Sequence, residues 1–524
     1  MSVRYDLPKY SDGYRKRTID SFGGYDHREG TEDGSIWHME NMSGDCYPLA
    51  APRVPRVISR TLTKPNGIAG YDGLYWVDGT GFYDKGEFKG TVSDSFKRFV
   101  FLGRYLVILP DKCYYNTETG EFGSLEASWS GTASFSDGTY MGEDAEGCRI
   151  VTSGTVFPFK VGDAVTIEGA TVADNNKTII IREISDDKKS LGFYEHSFTV
   201  ANSQTLTISR TVPDMDFICQ NENRLWGCKG DTIYASKLGD AFNWNVFDGL
   251  ATDSYALDVG SAGDFTGCIA YGGYAIFFKE DQVYKVYGDK PTNFKAMASA
   301  SLGVMRGSAD SLAIAGETLY YLSRCGVMAY TGGIPVAISS VFGDVSYCDA
   351  VGGSDGLKYY ISMRDSVSGE YSLFCYDTRI RRWYREDDTR AVGFCYYDGL
   401  RLLGSDGVMY RIGAWRDHED GQVSEDVFKS VIEFGDITDG TMDRKHLCKI
   451  QLRLDLDVGA KVLVYMSFNG GRYSLVKEIR SDRKNSYYLP LSLHRYDHCR
   501  IKLEGFGDWK LCSLAREFSP GSEL

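Results

Sequence analysis

The sequence predicts an all-β fold: a β-propeller of about seven blades, with an inserted small β-barrel or sandwich domain and a C-terminal β-sandwich. Paired apolar, aromatic-rich runs closed by tight turns recur about every 30 to 50 residues, the spacing of one supersecondary unit per repeat. Glycine is frequent, with 59 residues against 12 prolines, as turns between short strands require. No stretch keeps apolar residues at helical spacing over several turns.

Each repeat is interpreted as a β-hairpin. An apolar run rich in aromatic and β-branched residues enters a Gly or Asp-Gly turn, and a second run ends at or near tyrosine, which satisfies strand period and turn chemistry together. A long meander or stacked sandwiches would give similar hairpins without closing a ring, so ring closure is a hypothesis. The seven hairpins are expected at residues 73–83, 103–115, 223–235, 273–287, 319–330, 358–376 and 400–411.

The propeller is assigned to residues 61–124 and 213–415, and the segment before it has a different composition. Residues 1–60 are rich in charge and glycine and then carry prolines between arginines, which predicts an extended N-terminal arm. Such an arm needs a surface to lie on, either its own propeller or a neighbouring subunit.

Two further segments lie outside the repeat. Residues 125–212 interrupt it, and strand-like runs such as 157–167 predict an inserted β-domain that either carries contacts or only stabilises the array. Residues 416–524 begin with a polar linker and then alternate apolar and polar residues, for example over 449–456. Strict alternation gives a sheet one buried and one solvated face, so this segment is predicted to be a C-terminal β-sandwich.

Charge and cysteine usage restrict the functional classes. A net charge of −14 and a pI near 5.1 argue against stable binding of nucleic acid, whose affinity comes largely from Lys and Arg neutralising phosphates. An acidic surface suits a passage through which DNA slides, but an ordinary acidic protein carries the same charge. The 13 cysteines are scattered without zinc spacing, which predicts reduced thiols. No signal-peptide core or long apolar run is found, so we expect synthesis in a cytoplasm and no membrane span.

The sequence predicts no enzyme, no cofactor and no metal site. His494 and His498 have the spacing that chelates a metal on a helix, but their surroundings indicate strand and turn. No nucleophile elbow, P-loop or dinucleotide motif occurs. Propeller glycosidases place carboxylates on inner strands, and Asp258, Asp344 and Asp377 are the candidates for such positions.

Two segments resemble a known family. One runs from the hairpin at 223–235 to Phe247, and the other lies near the N-terminus. Both are similar to bacteriophage proteins labelled stabilisation or tail accessory proteins, a group that includes the propeller-bearing nozzle proteins of short-tailed phages. The residues that carry the resemblance are Asn41, Met42, Tyr47, Pro48, Pro52, Arg53, Asn223, Arg224, Leu225, Trp226, Tyr234, Ser236, Gly239, Asp240, Trp244 and Phe247.

The resemblance implies a structural virion component, a subunit at the nozzle, tip or tube of a phage tail that helps to form or close the DNA conduit. It also implies a homo-oligomeric ring of six copies, other phage tail proteins as partners, and a location in the virion after synthesis in the bacterial host. Rings close by heterologous contacts repeated around an axis. Three rivals stay open: a receptor- or glycan-binding tail protein, a polysaccharide hydrolase, and an ordinary bacterial propeller scaffold.

Overall fold

The computed structural model describes residues 13–30, 33–140, 142–413, 423–440, 444–481, 485–491 and 495–519. This part of the chain consists of strands, connections and four single-turn 3-10 helices, and its all-β propeller architecture confirms the predicted fold class. Among these residues no helix is long and apolar enough to cross a membrane. The 3-10 helices are Ala173–Asn175, Pro291–Asn293, Ala309–Ser311 and Ser340–Phe342.

Five short strands precede the first two propeller sheets. Each of these sheets is antiparallel, and its four strands pair in chain order. The leading strands are β1 (Arg15–Ile19), β2 (Ile36–Glu40), β3 (Met42–Ser43), β4 (Ala51–Pro52) and β5 (Val57–Thr61). Sheet 1 contains β6 (Pro65–Gly70), β7 (Leu74–Asp78), β8 (Gly81–Asp84) and β9 (Glu87–Thr91). Sheet 2 contains β10 (Arg98–Leu102), β11 (Tyr105–Leu109), β12 (Cys113–Asn116) and β13 (Phe122–Ser124).

The inserted unit follows sheet 2. Its strands are β14 (Ala127–Tyr140), β15 (Glu143–Thr152), β16 (Ala164–Glu168), β17 (Thr178–Ile180), β18 (Glu183–Ile184), β19 (Ser190–Gly192) and β20 (Ala201–Arg210). They form one antiparallel sheet in the order β17-β16-β20-β14-β15-β19-β18. Buried aromatic residues such as Trp129, Phe135 and Phe157 give this unit an apolar core of its own.

Sheets 3 to 7 follow the insertion. Sheet 3 contains β21 (Phe217–Asn221), β22 (Arg224–Lys229), β23 (Thr232–Ala235) and β24 (Tyr255–Asp258), and sheet 4 contains β25 (Gly267–Tyr271), β26 (Tyr274–Lys279), β27 (Gln282–Tyr287) and β28 (Lys295–Ala300). Sheet 5 contains β29 (Ala313–Ala315), β30 (Thr318–Ser323), β31 (Gly326–Tyr330) and β32 (Val336–Ala337). Sheet 6 contains β33 (Tyr347–Ser354), β34 (Lys358–Asp365), β35 (Tyr371–Asp377) and β36 (Arg382–Arg385), and sheet 7 begins with β37 (Ala391–Tyr396), β38 (Leu400–Gly404) and β39 (Val408–Arg411).

The propeller sheets close into a ring. Their first strands lie innermost, and each contacts the next around the axis, with β37 against β6 and β25 against the 3-10 helix that precedes β29. Each neighbouring pair of sheets encloses an apolar core, including the pair formed by sheets 7 and 1. An open stack would leave its two end faces without such a core, so the seven sheets found in the described residues form a closed array.

The predicted hairpins are the central strand pairs of these sheets. In sheet 1, for example, Trp76 of β7 faces Tyr83 of β8, and in sheet 5 Tyr321 of β30 faces Met328 of β31. Central strands carry apolar side chains on both faces because a neighbouring sheet covers each face. Their aromatic runs are therefore the part of each sheet that the sequence displays most clearly.

Glycine lets the innermost strands converge. A Cβ atom on Gly353 of β33 would lie 2.3 Å from the Cβ of Phe394 on β37. At Gly352 it would lie 2.7 Å from the carbonyl oxygen of Ser311. Neither distance can accommodate a carbon atom, so any larger residue would push the inner strands apart.

Sheet 7 is completed from the other end of the chain. β39 pairs antiparallel with β5, so Arg411 faces Val57. The opposite edge of β5 pairs with β40 (Val423–Ser424), the first strand after the propeller. The ring is therefore fastened by hydrogen bonds between a strand that precedes sheet 1 and the strands of the last sheet.

The C-terminal unit contains two five-stranded sheets. Its strands after β40 are β41 (Lys429–Phe434), β42 (Lys445–Leu456), β43 (Lys461–Phe468), β44 (Ser474–Arg480), β45 (Ser486–Tyr488), β46 (Arg495–Tyr496), β47 (Cys499–Phe506) and β48 (Trp509–Ser519). One sheet has the order β1-β48-β42-β45, with β46 also paired to β42, and the other has the order β2-β41-β47-β43-β44.

This topology corrects the extended arm that was expected for residues 1–60. β1 and β2 are edge strands of the two C-terminal sheets, and β5 belongs to the propeller. An edge strand needs few buried side chains: in β1 only Ile19 is buried. Such a strand lacks the alternation of a central strand, so its sequence gives no strand signal.

A cluster of charged side chains holds the N-terminal segment against sheet 6. The buried Arg56 donates from Nη2 to Glu386 at 2.5 Å, and the same atom lies 2.9 Å from Asp387. Arg53 pairs with Glu425, which precedes the C-terminal sheets, and lies 3.4 Å from Asp387. Burial acts to raise the pKa of the Asp387 carboxyl, but the two guanidinium groups outweigh it and hold that pKa below its ordinary value.

We expect this carboxyl to make stability depend on acidic pH. Because the pKa of Asp387 is lower in the folded chain than in the unfolded chain, where an Asp titrates near ~3.9, its contribution is complete above about pH 4 and is lost as the pH falls through the folded value. Thermal unfolding of the wild type and of Asp387→Asn should differ at neutral pH, and the difference should shrink in strong acid. Asp264→Asn, at the exposed pair with Arg306, is the matched control. A difference that stays constant with pH would contradict this expectation.

Candidate functional site

A cavity lies on the propeller axis, between the innermost strands. Its volume is about 380 Å³, which falls within the range of about 300–1,000 Å³ typical of small-molecule sites. It is lined by first strands of the sheets and by the segments that lead into β10 and β29. The ring therefore forms the walls, and side chains at the beginnings of these strands supply the chemistry.

One ion pair crosses this cavity. Arg98, the first residue of β10, donates from Nη2 to Oδ2 of Asp310 at 2.8 Å. Asp310 lies in the 3-10 helix Ala309–Ser311 that precedes sheet 5. The side chains of Arg98 and Asp310 are 28% and 34% exposed, so both groups keep surface that a ligand can reach.

Two buried serines fix the helix that carries Asp310. The Ser311 hydroxyl donates to the carbonyl of Ser308 at 2.6 Å and accepts from the backbone N–H of Leu322 in β30. The Ser308 hydroxyl accepts from the backbone N–H of Ala350 in β33. These bonds tie the turn to sheets 5 and 6, so Asp310 is held by the ring itself.

Burial raises the pKa of the Asp310 carboxyl above its ordinary value, although the Arg98 guanidinium acts in the opposite direction. Among the described residues that line the cavity, Asp310 is the only carboxylic acid. Lys97 also lines the cavity, but its ammonium group is buried against Asp111 at 2.5 Å. The Arg98–Asp310 pair therefore supplies charged side chains that can form hydrogen bonds to a ligand in the cavity.

Aromatic side chains surround this pair. The Arg98 guanidinium carbon lies 5.3 Å from the ring centroid of Phe96 and 4.9 Å from that of Phe217. Phe394 and Tyr396 of β37 line the cavity from the opposite side, and Tyr396 is 59% exposed. The site thus combines one charge-balanced polar pair with several aromatic surfaces.

The carboxylates proposed from the sequence lie elsewhere. Asp258 is exposed on β24, the outermost strand of sheet 3, where it accepts from Thr232, and Asp344 is exposed in a loop. Asp377 is buried at the end of β35 and paired with Arg379. None of the three lines the axial cavity, because its walls are mainly first strands, whereas these residues stand on later strands or in a loop.

Arg98 and Asp310 were not predicted as site residues from the sequence. A signal was present for Arg98, a charged residue that opens the apolar run Arg98–Leu102 directly before a hairpin. Asp310 stands between alanine and serine residues in a short connection, and nothing in that pattern distinguishes it from a solvated turn.

The histidines singled out from the sequence are not brought together in the part of the chain that the structure describes. His498 lies beside Asp497 in a turn, and His494 lies outside the described residues. Within the part of the chain that the structure describes, no group of three or more His, Cys, Asp and Glu side chains is arranged to hold a metal ion.

The resemblance-carrying residues of sheet 3 have structural roles. Arg224 is buried and donates to the backbone carbonyls of Ser236 at 2.8 Å and Ala251 at 2.7 Å. Asn243 bonds Asp240 at 2.6 Å and accepts from a backbone N–H of the inserted unit. The signature therefore shapes the long connection between β23 and β24 and joins it to the insertion.

The N-terminal residues of the resemblance brace the same framework. Asn41 accepts from Arg53 Nε at 2.9 Å, and Met42 of β3 faces Pro52 of β4. Tyr47 and Pro48 form the turn between these strands, and Pro48 accepts a backbone bond from Phe22. These contacts specify how a chain segment lies on sheet 6, and they carry no information about a partner or a reaction.

Comparisons with known proteins show no family for this chain. No family model matches the chain, and no curated protein matches it. Similar solved structures include an exo-β-1,3-galactanase from Phanerochaete chrysosporium, with 9% identity, a TM-score of 0.22, and coverage of 57% of this chain and 94% of that chain. PorZ, a surface component of the type-IX secretion system of Porphyromonas gingivalis, has 11% identity, a TM-score of 0.26, and coverage of 88% and 71%.

A glycoside hydrolase family 43 arabinoxylan arabinofuranohydrolase from Bacillus subtilis is also similar, with 9% identity, a TM-score of 0.16, and coverage of 58% and 95%. None of these structures is a phage tail protein. They contradict two predictions made from the sequence, a structural role in a phage tail and the absence of enzymatic activity, and both are corrected here. The resemblance was a poor guide to function because the residues that carry it hold the framework of the fold together. At this low similarity no activity or ligand is transferred to the chain.

Proposed function

We propose that this protein binds a neutral carbohydrate in the axial cavity, with Arg98 and Asp310 as the polar contacts. The proposal depends on one observation, the partly open Arg98–Asp310 pair among the aromatic rings of a pocket of small-molecule size. A carboxylate accepts hydrogen bonds from sugar hydroxyls, and a guanidinium donates to hydroxyl and ring oxygens. Aromatic faces pack against the C–H surface of a sugar ring.

Charge favours an uncharged ligand. The pair of Arg98 and Asp310 has no net charge, and the whole chain carries −14. An anionic polymer would be repelled over the surface before it reached the axis. A neutral saccharide meets no such barrier, and its hydroxyl groups match a donor and an acceptor placed side by side.

Hydrolysis of the bound saccharide is a second candidate function. It is favoured by the raised pKa of the Asp310 carboxyl, a shift in the direction that a general acid requires. Glycosidases use two carboxyl groups, about 5–5.5 Å apart for retention or about 6.5–9.5 Å apart for inversion. Asp310 supplies one such group, and the described residues that line the cavity contain no second carboxyl, so hydrolysis would need a carboxyl from outside this lining.

Calorimetric titration with a panel of neutral oligosaccharides tests the proposal. Asp310→Asn and Arg98→Gln should each weaken binding about 10- to 100-fold, since a hydrogen bond to a charged group contributes about 1.5–3 kcal/mol. Arg306→Gln and Asp264→Asn alter an exposed Arg–Asp pair outside the cavity and should leave affinity unchanged. Binding that survives both cavity substitutions would refute the site.

The same samples decide between binding and hydrolysis. Release of new reducing ends by the wild type, lost in Asp310→Asn at a saccharide concentration that saturates the variant, would identify Asp310 as the acid. Binding without release would leave carbohydrate recognition as the function of the cavity.

The family resemblance, the six-copy ring, the tail-protein partners and the virion location stay predictions. They are compatible with the proposal, because a protein that recognises cell-surface carbohydrate can be carried by a phage tail. Mass spectrometry of purified particles from a host that encodes the chain would test them.

A further inference from the structure

A second ion pair joins the inserted unit to sheet 3. Arg182, which lies between β17 and β18, donates from Nη2 to Oδ2 of Asp248 at 3.2 Å. Asp248 belongs to the connection between β23 and β24. The two side chains are 26% and 43% exposed, close to the values found for the pair in the axial cavity.

Aromatic side chains flank this pair as well. The Arg182 guanidinium lies 4.4 Å from the ring centroid of Tyr194, a residue that is 52% exposed. The ring of Tyr140 meets that of Tyr194 edge to face at 5.4 Å. Phe247, directly before Asp248, is 61% exposed. We name the five residues Tyr140, Arg182, Tyr194, Phe247 and Asp248 the seam surface.

The seam surface has features that packing does not explain. Phe247 closes the sequence signature, yet most of its ring faces solvent, whereas Trp244 of the same signature is buried. The Nε–H of Arg182 is buried and has no hydrogen-bond partner among the described residues. Exposed aromatic rings and a buried N–H without a hydrogen-bond partner both cost folding free energy, so the stability of the fold does not explain them.

We infer that the seam surface is a second carbohydrate site, which holds a neutral glycan chain outside the axial cavity. It repeats the composition of the cavity, an Arg–Asp pair without net charge between aromatic rings. Tyr194 and Phe247 are both more than half exposed, so the surface suits the side of an extended chain more than a single sugar unit. The inference goes beyond the proposed function, because it assigns a separate surface built from the insertion and the β23–β24 connection.

Two sites on one chain predict that affinity depends on the length of the glycan. A glycan long enough to contact both sites gains affinity because its binding to the second site is intramolecular. A short oligosaccharide occupies one site at a time. A long chain should therefore bind about tenfold or more tightly than a short one of the same composition. Loss of the seam surface should remove this gain and leave the short ligand unaffected.

The test uses the full chain and neutral glycans of increasing length, with affinity measured by calorimetry. Tyr194→Ala and Phe247→Ala, each as a single variant, should abolish the extra affinity for long glycans. Both should preserve the affinity of the cavity for short oligosaccharides. Tyr488→Ala is the matched control, since Tyr488 is also 52% exposed and has a cation, Lys449, 4.3 Å from its ring centroid. Unchanged thermal unfolding would show that the variants are folded.

The outcomes separate this inference from the proposed function. Long-chain binding that ignores Tyr194→Ala and Phe247→Ala, but is lost in Asp310→Asn, would overturn the seam site and leave the cavity proposal standing. Binding lost only in the seam variants would support the seam site and overturn the cavity. If no neutral glycan of any length binds the wild type, both carbohydrate proposals fail.

Discussion

Replacement of Arg516 by methionine is expected to destabilise the C-terminal unit by about 3–5 kcal/mol, the cost of breaking a buried ion pair from one side. Arg516 of β48 donates from Nη2 to Oδ1 of Asp439 at 2.8 Å, and neither side chain is exposed. Without the guanidinium, the buried Asp439 carboxylate would lose this ion-pair partner. Hydrogen exchange of β42 and β48 under increasing urea measures the loss within this unit alone, which matters because a chain of several units does not unfold in two states.

A second substitution identifies the cause. Asp439 has a positive φ of 53°, a conformation that asparagine tolerates well, so Asp439→Asn removes the charge with little backbone strain. Arg516→Met combined with Asp439→Asn should recover most of the stability that the single variant loses. If Arg516→Met costs less than about 1 kcal/mol, the value for an exposed pair, the ion pair does not stabilise the unit.

A proline at Ile58 is expected to open the propeller at sheet 7. β5 is paired on both edges, and Ile58 faces Tyr410 on one side and Val423 on the other. Proline removes the backbone donor from the middle of this sheet and leaves its acceptor unsatisfied, at a cost of about 2–4 kcal/mol. Hydrogen exchange should accelerate in β38 and β39 while β26 in sheet 4 stays protected.

Ile58→Thr is the matched control for this experiment. Threonine keeps the backbone N–H and the β-branched shape, so it changes the side chain without changing the ladder. It should lose only the apolar contribution of the isoleucine side chain. Equal acceleration in both variants would mean that the strand is held by side-chain packing and that hydrogen bonding to β39 and β40 does not fasten the ring.

The central hairpins of the propeller could be predicted from the sequence because both of their faces are covered by neighbouring sheets. Burial on two faces selects continuous aromatic and aliphatic runs, as in Tyr105–Leu109, and the turns between them select glycine. These two signals are local, so they can be found without knowledge of the partners.

The inner and outer strands gave weaker signals for physical reasons. Inner strands such as β33 carry glycine where the ring is crowded, and outer strands such as β28 are exposed and polar or small. β5 and β1 pair with segments at the other end of the chain. Their assignment depends on contacts that no local pattern encodes.

The candidate site was beyond local prediction for a related reason. Arg98 and Asp310 meet only because sheets 2 and 5 face each other across the axis, and their separation in sequence is 212 residues. The carboxylates chosen from the sequence stand on strands or loops away from that axis. A pattern search weighs residues by their neighbours in the chain, whereas a cavity is assembled from the first residues of several sheets.

β5 pairs with strands of sheet 7, and β1 and β2 belong to the C-terminal sheets. These early strands can therefore pair only after the end of the chain has been synthesised. A ribosome releases the first sixty residues long before it translates β39, β41 or β48, so these segments wait without partners while the middle sheets assemble. Chains that bind such late partners expose unpaired edges to other nascent chains and fold slowly. Production of this protein should therefore improve when chaperones occupy the waiting segments.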